Sequence, residues 1–139
     1  MASAARSLGT GERRAAVLRE VALADLVVLG PFAVPGLAEA YLGLWFQLNG
    51  ALGFAADAPL LGPTGGLLLN LLGFFAVLSA LLRLRDPGGV AWPLAGMAKA
   101  VAVVLIAAGL ARGAAPIFAV ALVADAIACI RLALAARQS

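Results

Sequence analysis

Ionic chemistry in this sequence rests on seven acidic and ten basic residues, and nine of the ten bases are arginine. The exception, Lys99, lies inside an apolar run from Val90 to Ala111, and Asp125 lies inside the next, from Ala114 to Ala136. Lys99 is nine residues past Val90, and Asp125 is nine before Leu134. At 1.5 Å per helical residue, both sit about 13 Å from the same end of their runs. Opposite charges at equal depth on neighbouring antiparallel helices should pair, because either charge alone costs at least about 2.5–3.5 kcal/mol at the centre of a membrane span. A desolvated lysine can also release its proton, which arginine cannot. The Lys99–Asp125 pair is therefore open to two readings, a structural ion pair or a proton-handling one.

A second pair at matched depth is Asp25 with Arg131, near the inner boundary, where the arginine can also reach the headgroups. Glu39, Asn70 and Asn49, below Tyr41 and Trp45, are candidates for a polar ligand pocket that opens outward. Along the membrane normal, Glu39 and Lys99 are about 14 Å apart, so one site does not hold both. Cys129 lies one turn from Asp125, and a lone cysteine of this kind is a small packing residue. Ser79 should bond back to its own helix. The chain has no histidine and one cysteine. Ser-His-Asp triads, histidine-ligated metals, internal disulfides and cysteine metal clusters are excluded, and no cofactor is expected.

The elements that position these residues follow from composition. The chain has 139 residues, 64% of them hydrophobic and 12% charged, with mean hydropathy +1.06. A soluble domain carries about 25% charged residues, so a small polytopic membrane protein of one domain is the expectation. Residues 1–20 form a cytoplasmic segment and 21–136 a membrane domain with spans at about 21–46, 66–84, 90–111 and 114–136, each long enough for a bilayer. The loop between Gln47 and Thr64 lies outside. Arg6, Arg13, Arg14, Arg19, Arg83, Arg85, Arg131 and Arg137 then fall on one side, against Arg112 on the other. The positive-inside rule places both termini in the cytoplasm, in a bacterial inner membrane. These arginines end apolar runs without interleaved aromatics, so the net charge of +3 does not indicate nucleic acid.

Thr10 is a candidate N-cap for a short surface helix to Glu20. Ala38-Glu39-Ala40 resembles a signal cleavage site, and its use is an alternative. Gly30-Pro31 and Pro35-Gly36 should kink the first span. Gly65-Gly66 and Asp86-Pro87-Gly88-Gly89 read as turns. The short loops make spans two and three, and spans three and four, tight antiparallel pairs. Small residues on span three (Ala95, Gly96, Ala100, Ala107) and span four (Ala114, Ala121, Ala124, Ala128) supply packing faces. The expected fold is all-α, an antiparallel four-helix transmembrane bundle.

The segment Leu69-Asn70-Leu71-Leu72-Gly73 through Leu82-Arg83-Leu84-Arg85-Asp86-Pro87 resembles the second span and turn of small bacterial DoxX-like proteins, and the four-span plan is similar across the chain. The resemblance implies an architecture and carries no catalytic residue onto this chain. Three functions stay open. The first is a membrane protein that binds an apolar small molecule (a quinone, isoprenoid or lipid) or serves as accessory subunit of a larger complex. The second is a small membrane enzyme, an isomerase, cyclase or hydrolase, with Glu39 as acid or base. The third is a proton-coupled carrier working as a homo-oligomer. Membrane lipid is a partner in all three.

Overall fold

In the computed structural model, residues 2–55, 57–87 and 91–137 are described, and among them every regular element is a helix. The elements are α1 (Ala2–Leu29), a 3₁₀ turn (Gly30–Ala33), α2 (Leu37–Ala51), α3 (Pro63–Arg85), α4 (Ala91–Ala111) and α5 (Phe118–Arg137). The segments Pro63–Arg85, Trp92–Ala111 and Phe118–Arg137 are each long and apolar enough to cross a membrane. A fourth crossing requires the bent pair Gly11–Ala33 and Leu37–Ala51 to form one span together.

The first span is not the single element expected over 21–46. The chain direction turns by 113° between Gly11–Ala33 and Leu37–Ala51. Two prolines four residues apart account for this. Each lacks an N–H, and its ring clashes with the carbonyl four residues back. Pro35 also drives Val34 out of the helical region, to φ −108° and ψ 117°, as a following proline ring requires. Gly36 completes the corner at φ +79°, a value that favours glycine. Helix α2 restarts at once, with the Ala38 N–H donating to Val34 O at 3.1 Å.

Two further expectations change. Helix α1 runs continuously through Thr10, so Thr10 does not cap a separate helix. Gly65-Gly66 is not a turn. Pro63, with φ preset for a first helical turn, starts α3, and the Gly66 N–H already donates to Gly62 O at 3.0 Å. The expected start of the third span at Val90, and the Gly88-Gly89 turn, lie outside the described residues.

Named contacts give the helix directions. Arg14 reaches the carbonyls of Ala135 and Ala136, and Glu20 pairs with Arg131, so α1 and α5 are antiparallel. Asp25 meets Arg83, and Phe32 lies against Gly73, so α3 also runs against α1. Arg14 stacks on Trp92 and Asp25 meets Lys99, so α4 runs with α1. Helix α1 therefore packs on both α3 and α5, while α4 leans chiefly on α5. The tight pairing expected between the second and third spans is weak, since α3 and α4 touch sparsely. Gly73 supplies the reason: its missing side chain lets the backbone at Phe32 and Ala33 close onto α3, which seats α3 against α1.

Leu18 and Val21 of α1, Ala95 of α4 and Leu132 of α5 form a buried cluster, with Val17, Trp92 and Ala128 packed on it. Of the small residues expected to face neighbours, Ala95 is buried, while Ala100, Ala107, Ala114 and Ala124 are exposed. With these directions, the α1 N-terminal half and the C-terminal ends of α3 and α5 bring Arg13, Arg14, Arg19, Arg83, Arg85, Arg131 and Arg137 to one end of the helix assembly. Arg112, just past the C-terminal end of α4, is at the other.

Candidate functional site: a buried ionic network across four helices

Four charged side chains converge at mid-height. Lys99 is the ninth residue of the 21-residue α4, and Asp125 the eighth of the 20-residue α5. Lys99 Nζ donates to Asp125 Oδ1 at 2.5 Å and to Asp25 Oδ1 of α1, also at 2.5 Å. Arg83 Nη2 lies 2.7 Å from the other oxygen, Asp25 Oδ2. The network thus holds two carboxylates and two cations with no net formal charge, and it ties α1, α3, α4 and α5 together. Side-chain exposures are 11% for Lys99, 11% for Asp25 and 20% for Asp125. At that burial each unpaired charge would cost several kcal/mol, so mutual neutralisation is what makes the site tolerable.

The expected pairing of Asp25 with Arg131 is absent. Asp25 is committed to Lys99 and Arg83, and Arg131 pairs instead with Glu20. On α5, Arg131 is six residues beyond Asp125 and on a different face, which turns it outward, where 48% of its side chain is exposed.

Arg83 is the member that the charge count assigned to the boundary. It is residue 21 of the 23 in α3. Helical side chains lean toward the N-terminus of their helix. Here Arg83 Nε donates to the Ser79 carbonyl at 3.2 Å, and the guanidinium reaches back into the apolar layer to Asp25. Ser79 contributes its backbone carbonyl to this bond. A signal for Arg83 exists in the sequence. Gly66, Gly73 and Ala80, all buried, recur every seven residues, and Arg83, three past Ala80, continues that face.

The pocket candidates divide into two places. Asn70 Nδ2 donates to Phe32 O at 3.0 Å, satisfying a carbonyl freed by the broken helix. Tyr41 packs edge-on to Phe32, with ring centroids 5.2 Å apart, and Trp45 packs on Tyr41 at 6.1 Å. Glu39 is exposed and lies against Gly66, one turn from Asn70. These four gather around the helix break at the end of α3 away from Arg83. Asn49 is elsewhere. It is 1% exposed, accepts from the Ile117 N–H at 2.9 Å, and donates to Ala55 O at 2.6 Å. Its amide straps α2 to the start of α5, where Phe46 also packs on Phe118. Cys129 is a free, half-buried thiol.

Among the described residues, no group of three or more acidic, histidine or cysteine side chains has the geometry to hold a metal. No buried side-chain nitrogen or oxygen among them is left without a partner.

Apolar helices of spanning length, joined by a neutral ionic network, define a multi-pass helical membrane protein. No family model, curated protein or solved structure matches the chain.

Proposed function

We propose that this chain is an accessory subunit of a membrane protein complex, docking through its apolar flanks, with its arginine-rich end on the cytoplasmic side of a bacterial inner membrane. One observation carries the reading: the charged groups at mid-height neutralise each other internally. A reaction centre needs a polar group directed at substrate, and these four side chains are directed at one another. Leu72 and Phe75 on α3, Val104 and Leu105 on α4 and Val123 on α5 stand outward, a surface that suits lipid or a partner helix. The DoxX-like plan of four spans with both ends inside fits the same role. Glu39, the acid or base of the enzyme reading, lies against Gly66 at the end of α3 away from Arg83, apart from Lys99 at mid-height.

Native mass spectrometry of the chain released from its own membrane tests the proposal. The expected species carries a second protein subunit. A single chain with a stoichiometric small-molecule mass would replace the accessory role with the ligand-binding or enzymatic one.

A second reading, the proton-coupled carrier, is favoured by the placing of Lys99 between two carboxylates, an arrangement that proton relays use. Reconstituted protein that takes up protons under an imposed gradient, and loses this in a folded Lys99→Met/Asp125→Leu variant, would establish it. No uptake by the unmodified protein removes it.

A further inference from the structure

We infer that α2 is an interfacial anchor. It lies in the surface layer of the leaflet away from Arg83, with Leu37, Leu44 and Leu48 inserted among the acyl chains. This goes beyond the accessory role and depends only on the spans crossing a bilayer. The height of α2 follows from the path of the chain. From Arg14 to Leu29 at the α-helical rise, and through Gly30–Ala33 at the 3₁₀ rise, the chain climbs about 30 Å. That is about the thickness of a hydrocarbon core, so the break falls at the far boundary. Ala33, at the entry to α2, is about 14 Å above Asp25 by the same rises. Near the other end of α2, Asn49 accepts from the Ile117 N–H, about 12 Å above Asp125. Asp25 and Asp125 share Lys99, so the two ends of α2 stand at nearly one level. A 15-residue helix is about 22 Å long. Helix α2 therefore runs along the boundary rather than across it, in keeping with the 113° turn.

Rotation about the α2 axis assigns its faces. Leu37, Leu44 and Leu48 form one stripe at spacings of seven and four, and are 48%, 48% and 49% exposed. Ala38 and Asn49, both buried, lie about 110° round from that stripe and face the other helices. Glu39 and Gln47, both exposed, centre on a third face, about 120° from the stripe. Glu39 shows which face looks outward. It lies against Gly66, seven residues nearer the start of α3 than Gly73, which receives Phe32 and Ala33. The Glu39 face is therefore turned past the break, away from the core. The leucine stripe, on the far side of the helix from Glu39, is turned back toward it.

Charge and continuity commit the stripe to lipid. Helix α2 carries no basic residue, and its one charge, Glu39, is off the stripe. The occupant is therefore uncharged, acyl chain rather than anionic headgroup. Val104 and Leu105 of α4 are exposed about 8–9 Å above Lys99, so the outward apolar flank of the spans continues up to just below the stripe. Interfacial helices bury their apolar face about 5–10 Å into this layer. Tyr41 and Trp45 lie between the stripe and the buried face, and both residue types favour the membrane–water boundary.

The test uses the full chain in phosphatidylcholine nanodiscs, in a Cys129→Ala background, with one nitroxide attached through Leu44→Cys or Gln47→Cys. Both positions are exposed, so a label there leaves the packing in place. Power-saturation EPR compares collisions with oxygen, which partitions into acyl chains, and with a nickel chelate, which stays in water. The Leu44→Cys label should favour oxygen, and the Gln47→Cys label nickel. Nickel favoured at both would put the stripe in water, and a Leu44→Cys label reached by neither reagent would put it against protein. Either result overturns the proposal. A second measurement needs no label. In Trp92→Phe, Trp45 is the one remaining tryptophan, and phosphatidylcholine brominated on its chains should quench it, more strongly with bromines near the glycerol than near the chain ends. No quenching, or stronger quenching from the chain ends, would overturn the interfacial placement even if the cysteine variants fail to fold.

Discussion

Lys99 Nζ meets Asp25 Oδ1 at 2.5 Å, joining α4 to α1 across 74 positions of sequence. The contact makes Lys99 shared rather than paired, because its other carboxylate, Asp125, is on α5 at the same distance. Asp25 is shared in turn, between Lys99 and Arg83. This chain of contacts gives the network a direction, and the consequences of removing its members differ accordingly.

Lys99→Met leaves Asp125 buried without a cation, and a broken buried pair costs about 3–5 kcal/mol. Lys99→Met/Asp125→Leu removes the whole outer pair and leaves Asp25 with Arg83, a neutral remainder. The double variant should recover most of the lost stability, to within about 1–2 kcal/mol of the parent, as apolar replacement of buried pairs often does. Thermal melting in detergent measures both. A double variant no more stable than the single one would mean that Lys99 and Asp125 are not coupled.

Asp25→Asn should be more harmful than Asp125→Asn. The first deprives two cations of one shared carboxylate, and Arg83 is 7% exposed. The second removes one of two partners from Lys99, at the more exposed carboxylate. The expected gap is about 1–3 kcal/mol, the cost of leaving a buried polar group unmet. Equal melting temperatures for the two variants would contradict the sharing.

Glycine 73 and glycine 66 separate backbone contact from side-chain contact. Alanine is favoured over glycine in a helix by about 0.8–1 kcal/mol. At Gly73 an added Cβ would lie 2.3 Å from the Phe32 carbonyl carbon and 2.4 Å from the Ala33 nitrogen. Backbone cannot yield there, so Gly73→Ala should destabilise by about 1–3 kcal/mol and loosen α1 from α3. At Gly66 the neighbour is Glu39 Oε1 at 2.8 Å, the far end of a flexible, exposed side chain. Gly66→Ala should be neutral or stabilising. Melting curves of the two variants check the contrast, and a tolerated Gly73→Ala would show that the break does not rest on α3.

Asn49→Ala should release α2 while the remaining helices stay packed. It removes a donor to the exposed Ala55 and an acceptor for the buried Ile117 N–H, and leaving the latter unmet costs about 1–3 kcal/mol. Hydrogen exchange should rise over Leu37–Ala51 and leave Lys99 and its neighbours in α4 unchanged. Unaltered exchange in α2 would show that Asn49 is not the strap.

The membrane class and the helices α3, α4 and α5 were legible in the residues, because composition and run length respond to the bilayer as solvent and need no knowledge of packing. Depth arithmetic brought Lys99 and Asp125 to one level for the same reason: rise per residue is a property of any straight helix. Three features were settled only by tertiary structure. Pro31 and Pro35 announced a kink, but its size of 113° depends on Gly73 receiving the broken backbone and Asn70 satisfying it. Asp25 went to Lys99 and Arg83 rather than Arg131, since depth along a helix leaves rotation about its axis open, and rotation decides which charges meet. Arg83 was read as a boundary charge from its position two residues before the end of α3. The direction of its side chain, back along the helix to Asp25, depends on where α1 packs, which no count of charges along the chain contains.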